Sequence, residues 1–397
     1  MKLERLQDIV RSSSALRYKA RLQPAGGPGD KVFPPTYKDG AYAEEMRIIG
    51  GSRVPCVHLD SVQSQANRME LALLEAARAG EITLPLVEVD FGKKSADLKE
   101  VGIISSLEAP HRLADAILRD SCKDGKRFRE LPEGRLLDES SLQNASGLFE
   151  ICPTSLLFGL WDSTGPRGGL GVKFQRAIVA ELVAIDIEKG IKSSSRIDPL
   201  GIMLNAGPIY MDPKNGSLTL DEKDEGGRPL KRWGKEGKPS EANHGNVTPS
   251  LSTTNGGVTF AYALQTVVIS LPALRRLRFP VHGKLESKTD LAARTALAAL
   301  GLCASALSLS KGCDLRSRCL LVPDGPGIWE VVHADGSTEE FSIPAAEACG
   351  LLKDTVKAAT ATGLRWREEP LTLLPSDGLA QLVRKSRDLA MQSKAGA

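Results

Sequence analysis

Residues 259–279, TFAYALQTVVISLPALRRLRF, carry the clearest structural pattern in the chain. The first part is rich in Thr, Val, Ile and aromatic side chains, which favours a β-strand. Ser270 then precedes an apolar residue and Pro272. This combination predicts a helix that the serine caps, with the proline in its first turn. Three arginines make the helix basic: Arg275, Arg276 and Arg278. The stretch therefore predicts a strand that leads directly into a short basic helix.

The segments on either side differ sharply in composition. Residues 212–258 are mostly Gly, Pro, Lys, Asp, Glu, Asn and Ser, and a polar stretch of this length is typical of a functional insertion or a disordered loop. Downstream, an Ala/Leu helix is predicted from near Asp290, and it is apolar nearly all round, which indicates burial. RSRCLLVP and IWEVVHADG predict the last strands, and two helices are predicted after Ser342 and Ser376.

The N-terminal half combines short elements of both types. SRVPCVHLD predicts a strand that leads into a helix capped by Asp60 and ended by Gly80. Residues 21–42 predict an irregular segment, and EAPHRLADAILRD predicts a short helix. ITLPLVEVDF predicts a strand that Pro85 places at a sheet edge or a bulge. VKFQRAIVAELVAIDIE favours a strand, although its pattern leaves a helix open. This irregular mixture favours an α+β fold over a regular βαβ alternation.

The composition is that of an ordinary globular protein. The 397 residues carry a net charge of +3, so any affinity for polyanions must come from local clusters. The low aromatic content, 5%, argues against an extended stacking platform. Seven cysteines without a C-x-x-C pair suit free thiols in a reducing compartment and provide no zinc site. The N-terminus lacks the apolar core of a signal peptide, and the uncharged stretch between Arg294 and Lys311 is shorter than the ~20 residues of a membrane span. We therefore expect a soluble, cytoplasmic protein without a metal or other cofactor.

A glycine loop at residues 165–171 follows the apolar run LLFGLW and precedes Lys173 and Arg176. Backbone N–H groups in such a loop can approach a phosphate closely, because glycine has no Cβ. The loop lacks the Gly-Lys-Ser/Thr of a P-loop and the G-x-G-x-x-G of a dinucleotide site. It therefore either binds the phosphate of another ligand or is a tight connection between two elements.

Three further groups of side chains suit contacts with phosphate or sugar. The helix after Asp60 carries a polar stripe without an acid: Ser61, Ser64, Gln65 and Arg68, with Asn67 beside it. Residues 226–240 and 271–288 each carry a net charge of +4, and such clusters give salt-sensitive, sequence-independent affinity for nucleic acids. Trp233 in the first cluster can stack on a base. Each of these groups, taken alone, is more often a solvated surface.

Catalytic constellations are weak in this sequence. The five histidines lie in unrelated contexts, without the spacing of a metal pair, and His244 is the one in an obviously exposed setting. Asp162 and Asp212 are loop carboxylates near basic residues, and nothing in the sequence pairs them. No Ser-His-Asp or Cys-His arrangement can be argued.

Four segments, in this order, resemble one CRISPR family: LDSVQSQANRMELALL, LLFGLWDSTGPRGGLGVKFQRAIVAEL, KPSEANHGNVTPS and ALQTVVISLPALRRLRFP. The family is the backbone subunit of type I effector complexes of subtype I-G, formerly I-U, within the RAMP superfamily. The resemblance implies a modified RNA-recognition-motif palm, which is ferredoxin-like, with inserted finger elements and a β-hairpin thumb. It implies palm and fingers in residues 1–212, the thumb in 213–258 and the rest of the palm in 259–330. A helical region at 331–397 lies outside the resemblance.

The resemblance also implies a function, which is sequence-independent binding of CRISPR RNA by a subunit that is not an enzyme. The expected partners are the guide, target DNA paired to it, further copies in a helical filament, the large subunit, and the subunit that caps and processes the guide end. The residues implied to contact RNA are Ser64, Gln65, Asn67, Arg68, Gly168, Gly169, Gly171, Lys173, Arg176, Lys231, Arg232, Trp233, His244, Asn246, Arg275, Arg276 and Arg278. The palm lacks the aromatic pair of an ordinary RNA-recognition motif, which fits contact with the RNA backbone rather than with bases.

Two alternatives stay open at this point. A nucleotide-binding enzyme would use the 165–171 glycine loop and would bind a mononucleotide saturably. A RAMP-type ribonuclease would lose cleavage when Asp162, Asp212 or His244 is replaced.

Overall fold

A computed structural model describes residues 1–165 and 171–395 of the chain. The chain divides into two compact units. Unit 1 consists of Met1–Tyr37, Tyr42–Glu188 and Val258–Ala380. Unit 2 consists of Lys38–Ala41, Lys189–Gly257 and Gln381–Ala397. Most of unit 2 is therefore one continuous insertion between two strands of unit 1.

The described residues form ten α-helices, some short 3₁₀ turns and twenty-one strands. The helices are α1 Leu3–Ser12, α2 Val62–Arg78, α3 Ala116–Arg119, α4 Pro132–Asp138, α5 Ser146–Ile151, α6 Pro153–Phe158, α7 Leu271–Arg275, α8 Ser287–Ser310, α9 Ala345–Thr360 and α10 Asp377–Ala395. The strands of the first half are β1 Ala15–Pro24, β2 Glu44–Ile49, β3 Ser52–Asp60, β4 Val87–Asp90, β5 Ile103–Ser105, β6 Ser121–Lys123, β7 Lys126–Arg127, β8 Leu160–Trp161, β9 Lys173–Phe174, β10 Ile178–Lys189 and β11 Lys192–Arg196. The remaining strands are β12 Tyr210–Met211, β13 Leu218–Thr219, β14 Lys231–Arg232, β15 Val247–Ser252, β16 Val258–Ser270, β17 Cys313–Asp314, β18 Leu320–Pro323, β19 Ile328–Val332, β20 Thr338–Phe341 and β21 Leu371–Pro375.

The largest sheet belongs to unit 1 and has nine strands. Its order is β17-β18-β1-β16-β10-β3-β2, and β19 pairs with both β1 and β20. The central pair, β1 and β16, is antiparallel and runs in register from Ala15 opposite Ser270 to Leu22 opposite Ala263. A smaller sheet of unit 1 has the order β5-β4-β21-β6-β7. In unit 2, β11 pairs with β15, and β12 lies between β13 and β14.

Strand β16 shows the period of two that buries one face of a strand. Ala263, Gln265, Val267 and Ile269 are buried, and the residues between them are partly exposed. Helix α8 packs on the buried face, next to α2, where the Ser305 hydroxyl lies 3.9 Å from the Met69 sulfur. The core of unit 1 therefore includes the layer between this sheet and these two helices.

Gly301 allows helix α8 to approach the sheet closely. A Cβ at this position would lie 2.9 Å from Cδ1 of Ile269 on β16 and 3.4 Å from Cδ1 of Leu157 on α6. Glycine within a helix costs about 1 kcal/mol relative to alanine. Packing explains its presence here, because a larger side chain would push the helix away from the sheet.

Helix α8 is also the described helix that is long and apolar enough to span a membrane, with a mean hydropathy of 1.5 over its best window. Its residues are instead packed inside the protein, since 83% of that window is buried. The composition of α8 thus reflects its central place in the core.

The mixed α+β class predicted from the sequence is confirmed, as are β3, β10, β16, the Ala/Leu helix and both C-terminal helices. The cap of α7 is also confirmed, because the Ser270 hydroxyl accepts a hydrogen bond from the Ala273 N–H at 3.3 Å. The cap of α2 was predicted wrongly. Ser61 accepts the hydrogen bond from the Ser64 N–H at 3.2 Å, since the Asp60 carboxylate is occupied by side chains.

Five segments depart from the sequence prediction. Strand β1 continues to Pro24, inside the stretch predicted to be irregular, and α1 was not predicted. The strand predicted at 82–91 forms only from Val87, as β4, and it lies between β5 and β21 rather than at an edge of the sheet. The helix predicted at 108–120 is reduced to α3 after a 3₁₀ turn. The region 331–397, which was predicted to be helical, also contains β20 and β21. Of these strands, β21 belongs to the smaller sheet of unit 1.

We expect Gly301→Leu to lower the free energy of unfolding by about 1–3 kcal/mol, because the new side chain overpacks the layer between α8 and β16. Chemical denaturation followed by circular dichroism measures the change. Gly350→Ala in α9 is the matched control, since a Cβ there meets no atom within 4 Å. The control should gain about 0.4–1 kcal/mol. Equal stability of the two variants would contradict the packing argument.

Candidate nucleic-acid interface

The two short strands that flank the glycine loop form an antiparallel ribbon with two different faces. Leu160 lies opposite Phe174, and both side chains are buried. Trp161 lies opposite Lys173, and both are exposed. Because directly opposed residues of such a pair project to the same side, the ribbon has an anchored face and a solvent face. Of the glycines predicted to contact RNA, Gly168 and Gly169 lie outside the described residues, and Gly171 is partly buried just before β9.

The solvent face of the ribbon combines an aromatic ring with a cation. The Lys173 Nζ lies 5.3 Å from the centroid of the Trp161 ring. This distance is within the range of a cation–π interaction. The contact gives the lysine a defined position without neutralising its charge.

Arg176 follows the ribbon and lies beside a buried ion pair. The Arg112 guanidinium donates to both Glu70 oxygens, at 2.6 and 2.8 Å, and Glu70 is buried. Burial raises the pKa of the Glu70 carboxyl, and the contact with Arg112 opposes this effect. Burial lowers the pKa of the Arg176 guanidinium, and Arg112 lowers it further, whereas Glu70 raises it. Two arginines thus share one carboxylate, so the local charge is positive.

Arg276 reaches the same area from α7. Its Nη1 donates to the Gln175 side-chain oxygen at 2.9 Å, between Lys173 and Arg176 in sequence. Lys173, Gln175 and Arg276 line a cavity of about 250 Å³ whose other walls are apolar, namely Leu142, Leu156, Phe174, Ala177, Ala273 and Leu277. Lys173 and Arg276, which were predicted in separate clusters, therefore line the same cavity.

We call Lys173, Arg176 and Arg276 the cationic cluster. Within residues 1–165 and 171–395, none of the three forms a salt bridge with a carboxylate. Lys173 lies over the Trp161 ring, and Arg176 lies near the carboxylate that Glu70 shares with Arg112. Arg276 donates to the neutral side-chain amide of Gln175. Cations held in this way keep their charge available for an external anion.

The predicted polar stripe of α2 has a different environment. Gln65 is 3% exposed and donates to Asp60 at 2.6 Å, and it accepts a hydrogen bond from Gln265 at 3.3 Å. Arg68 donates to Asp60 at 2.9 Å and to the Leu315 carbonyl at 3.0 Å. Ser64 is partly exposed and Asn67 is exposed. The structure thus gives Gln65 and Arg68 internal partners and leaves Asn67 open to solvent.

The other two arginines of this segment also have internal partners, although α7 ends at Arg275 and Arg278 lies beyond it. Arg275 donates to the carbonyls of Val10 and Ser13, at 2.9 and 2.8 Å, at the C-terminal end of α1. A cation at a helix C-terminus is favourable because the carbonyl groups point towards it. Arg278 donates at 2.6 Å to Asp290, a buried residue at the start of α8. Of the three predicted arginines, Arg276 is the one that joins the cationic cluster.

The predicted residues of the polar insertion all lie in unit 2. Lys231 and Arg232 form β14 and are exposed, and Trp233 is partly buried, with its backbone N–H donating to the Ile209 carbonyl at 3.0 Å. His244 is exposed. Asn246 accepts a hydrogen bond from the Asp198 N–H at 2.6 Å and lines a cavity of about 670 Å³. The main segment of unit 2 begins at Lys189, before the predicted thumb range of 213–258.

Two features of unit 1 were not predicted from the sequence. Trp161 was quoted only as part of an apolar run, although its place next to the glycine loop was a usable signal. Strand β1 presents Arg17, Lys19 and Arg21 on one face, because alternate residues of a strand point to the same side. This pattern was not recognised, since part of the strand lies in the segment predicted to be irregular. Glu330 pairs with Arg17 and Lys19 at 2.7 and 3.2 Å, and Arg21 lies 4.1 Å from the Tyr262 ring centroid. Glu330 on β19 therefore neutralises part of the positive charge on this face of β1.

The two loop carboxylates that the ribonuclease alternative invokes belong to different units of the chain. Asp162 is buried and accepts a hydrogen bond from Arg129 at 2.7 Å. Asp212 belongs to unit 2, where it accepts a hydrogen bond from the Lys214 N–H at 2.8 Å. Within the described residues, no group of three or more His, Cys, Asp and Glu side chains is arranged to hold a metal ion.

We expect Arg68→Ala to lower the free energy of unfolding by about 1–3 kcal/mol, because buried Asp60 would lose a charged partner and retain Arg316, at 3.5 Å. Lys173→Ala is the matched control and should change stability by less than about 0.5 kcal/mol, since Lys173 is exposed and has no acidic partner. Urea denaturation of both variants provides the measurement. A stability loss confined to Lys173→Ala would contradict this assignment.

Comparisons with known proteins agree with part of the sequence resemblance. Residues 16–189, which run from β1 into the end of β10, match the model of a family described as CRISPR-associated protein GSU0053. Among solved structures, the chain is similar to the crystal structure of Csc2 from Thermofilum pendens, at 9% identity and a TM-score of 0.26, over 90% of this chain and 79% of that one. The comparison with curated proteins gives no match. The part of the chain that contains the β8–β9 ribbon is therefore similar to a CRISPR-associated family, as the sequence motifs predicted.

Proposed function

We propose that this chain is the guide-binding backbone subunit of a type I-G CRISPR effector complex, which holds CRISPR RNA irrespective of its sequence. The main evidence for this proposal is the cationic cluster. Lys173 and Arg276 line one cavity, Arg176 follows Lys173 by three residues, and no carboxylate forms a salt bridge with any of the three in the described part of the chain. The family match over residues 16–189 includes two of these three residues.

The chemistry of the cluster favours a polyanion over a single small anion. Lysine and arginine that neutralise phosphates release counterions, which gives affinity without sequence preference. Phosphate contacts of this kind position a strand and leave the base edges free. A guide has to keep those edges free, because they pair with the target strand.

The topology of unit 1 supports a ferredoxin-like palm. Four neighbouring strands follow the order β18-β1-β16-β10, and α2 and α8 lie in the two long connections between β1 and β10 and between β16 and β18. This is the arrangement of a β-α-β-β-α-β unit, to which β3 and β2 add an edge. We propose that unit 2, which is inserted between β10 and β16, is the thumb. Its β11–β15 ribbon suits a projecting hairpin.

The proposed partners follow from this role. They are the CRISPR RNA, the target DNA strand paired to it, further copies of the chain along the guide, the large subunit and the subunit that caps and processes the guide end. We propose that the complex works in the cytoplasm. The chain itself has a net charge of +3, so neighbouring copies on one guide would repel each other only weakly.

We further propose that the chain has no catalytic role. Asp162 is paired with Arg129, so its carboxylate is held in an internal ion pair. Asp212 and His244 belong to unit 2, and the Asp212 carboxylate accepts a hydrogen bond from the Lys214 N–H. We therefore propose that this chain only binds nucleic acid and that strand cleavage is left to other subunits.

Replacing one cation of the cluster should weaken RNA binding uniformly. For Lys173→Ala or Arg276→Ala we expect a loss of affinity of roughly tenfold for single-stranded RNAs of any sequence. The slope of log K against log salt should fall by about 0.7 for each lost phosphate contact. Fluorescence anisotropy at several salt concentrations measures both. Lys353→Ala, an exposed lysine on α9, is the matched control and should bind like the wild type. A changed preference at one base position would contradict the phosphate assignment.

The chain produced in cells together with a CRISPR array should co-purify with RNA. Sequencing of that RNA should return array-derived guides, because the proposed contacts protect a bound strand. The RNA should stay intact when Mg²⁺ is added. Degradation that disappears in Asp162→Asn, Asp212→Asn or His244→Ala would favour the ribonuclease alternative and refute the proposal.

A further inference from the structure

Trp161 is unusual among the tryptophans because its ring is open to solvent. It is 58% exposed, whereas Trp329 and Trp366 are 4% and 7% exposed and Trp233 is partly buried. Burying a large aromatic side chain normally contributes several kcal/mol to folding. Leaving this ring exposed forgoes that contribution, which points to a binding role for its surface.

The backbone holds the ring firmly in place. Leu160 on one side is buried, and Asp162 on the other is buried and paired with Arg129 at 2.7 Å. The Asp162 N–H donates to the Val172 carbonyl at 2.9 Å, so the ribbon is closed next to the ring. A ring carried by an anchored ribbon loses little freedom when it binds a ligand, which lowers the entropic cost of binding.

The surroundings of Trp161 select for an anionic ligand. Lys173 lies 5.3 Å from the ring centroid, and Arg276 shares a cavity with Lys173. The lining of that cavity contains no acidic residue among the described side chains. A protein ligand would place acidic side chains only at scattered points of its surface. A nucleic acid strand, in contrast, presents a flat apolar base and a phosphate at every nucleotide.

We infer that Trp161 is a base-stacking platform for a single-stranded nucleic acid, with the phosphates next to the stacked base held by Lys173 and Arg276. This inference rests on the proposed function and adds a contact to a base that the sequence analysis did not assign. Stacking tolerates any base, because every base has a π-face, so it is compatible with sequence-independent binding. A duplex is a poor ligand here, because its base faces are covered by their neighbours.

A cycle with two proteins and two ligands tests the inference. The proteins are the wild type and Trp161→Leu, and the ligands are a short oligouridylate and a ribose-phosphate oligomer of the same length without bases. Trp161→Leu should weaken oligouridylate binding by about tenfold and leave binding of the base-free oligomer unchanged. Trp161→Phe should recover most of the affinity, because it restores an aromatic face.

Two controls separate stacking from general damage. Ile103→Ala removes another exposed apolar side chain of unit 1, on β5, and should bind both ligands like the wild type. Thermal unfolding of each variant checks that the fold is retained.

The outcomes distinguish this inference from the proposed function. An equal loss on both ligands, or no loss on either, would overturn the stacking role while RNA binding by the wild type still supported the proposed function. A wild-type protein that binds neither ligand would overturn both.

Discussion

The backbone of Ala177 fixes the relative position of the elements that carry the candidate site. Its N–H donates to the Leu157 carbonyl at 2.8 Å, and its carbonyl accepts from the Ser270 N–H at 2.7 Å. The first bond ties the chain after β9 to α6, and the second ties it to the end of β16. Since Ser270 also caps α7, the helix that ends next to Arg276 starts from a fixed point. The meeting of Arg276 with Gln175 thus follows from backbone pairing in the core rather than from attraction between surface charges.

Acidic side chains decide which cations remain available at the surface of unit 1. Asp60 binds Arg68, Asp290 binds Arg278 and Arg294, and Glu70 binds Arg112. All three acids are buried, so their charges need these partners. Arg176 lies beside one of these pairs without a hydrogen bond of its own in the described residues. Gly159, with φ 89°, makes room for it, because a Cβ there would lie 2.9 Å from the Arg176 Cγ. In a nearly neutral chain, the candidate site is therefore one of the places where the cations outnumber the acids.

The sequence predicted the elements whose pattern is local. The strand and cap at 259–279, the buried Ala/Leu helix and the strand before α2 could be read from periodicity and capping residues. It did not predict β21, because that strand is ordered by pairing with the distant β4. The same limit applies to the site. Arg275, Arg276 and Arg278 look alike in sequence, and only contacts with distant residues such as Val10 separate the structural arginines from the one near the glycine loop.

A cationic cluster beside one exposed ring suits a ligand that is held by its backbone and touched at a base face. The phosphate contacts scale with the number of cations and fall with salt, whereas stacking depends on aromatic area and is nearly insensitive to salt. Together they allow firm binding from few charges, which matters for a chain whose net charge is only +3. Neither contact uses the Watson–Crick edge. A strand bound in this way keeps its Watson–Crick edges accessible for pairing. The contacts that the ribbon offers are therefore those that the proposed role as a guide holder requires.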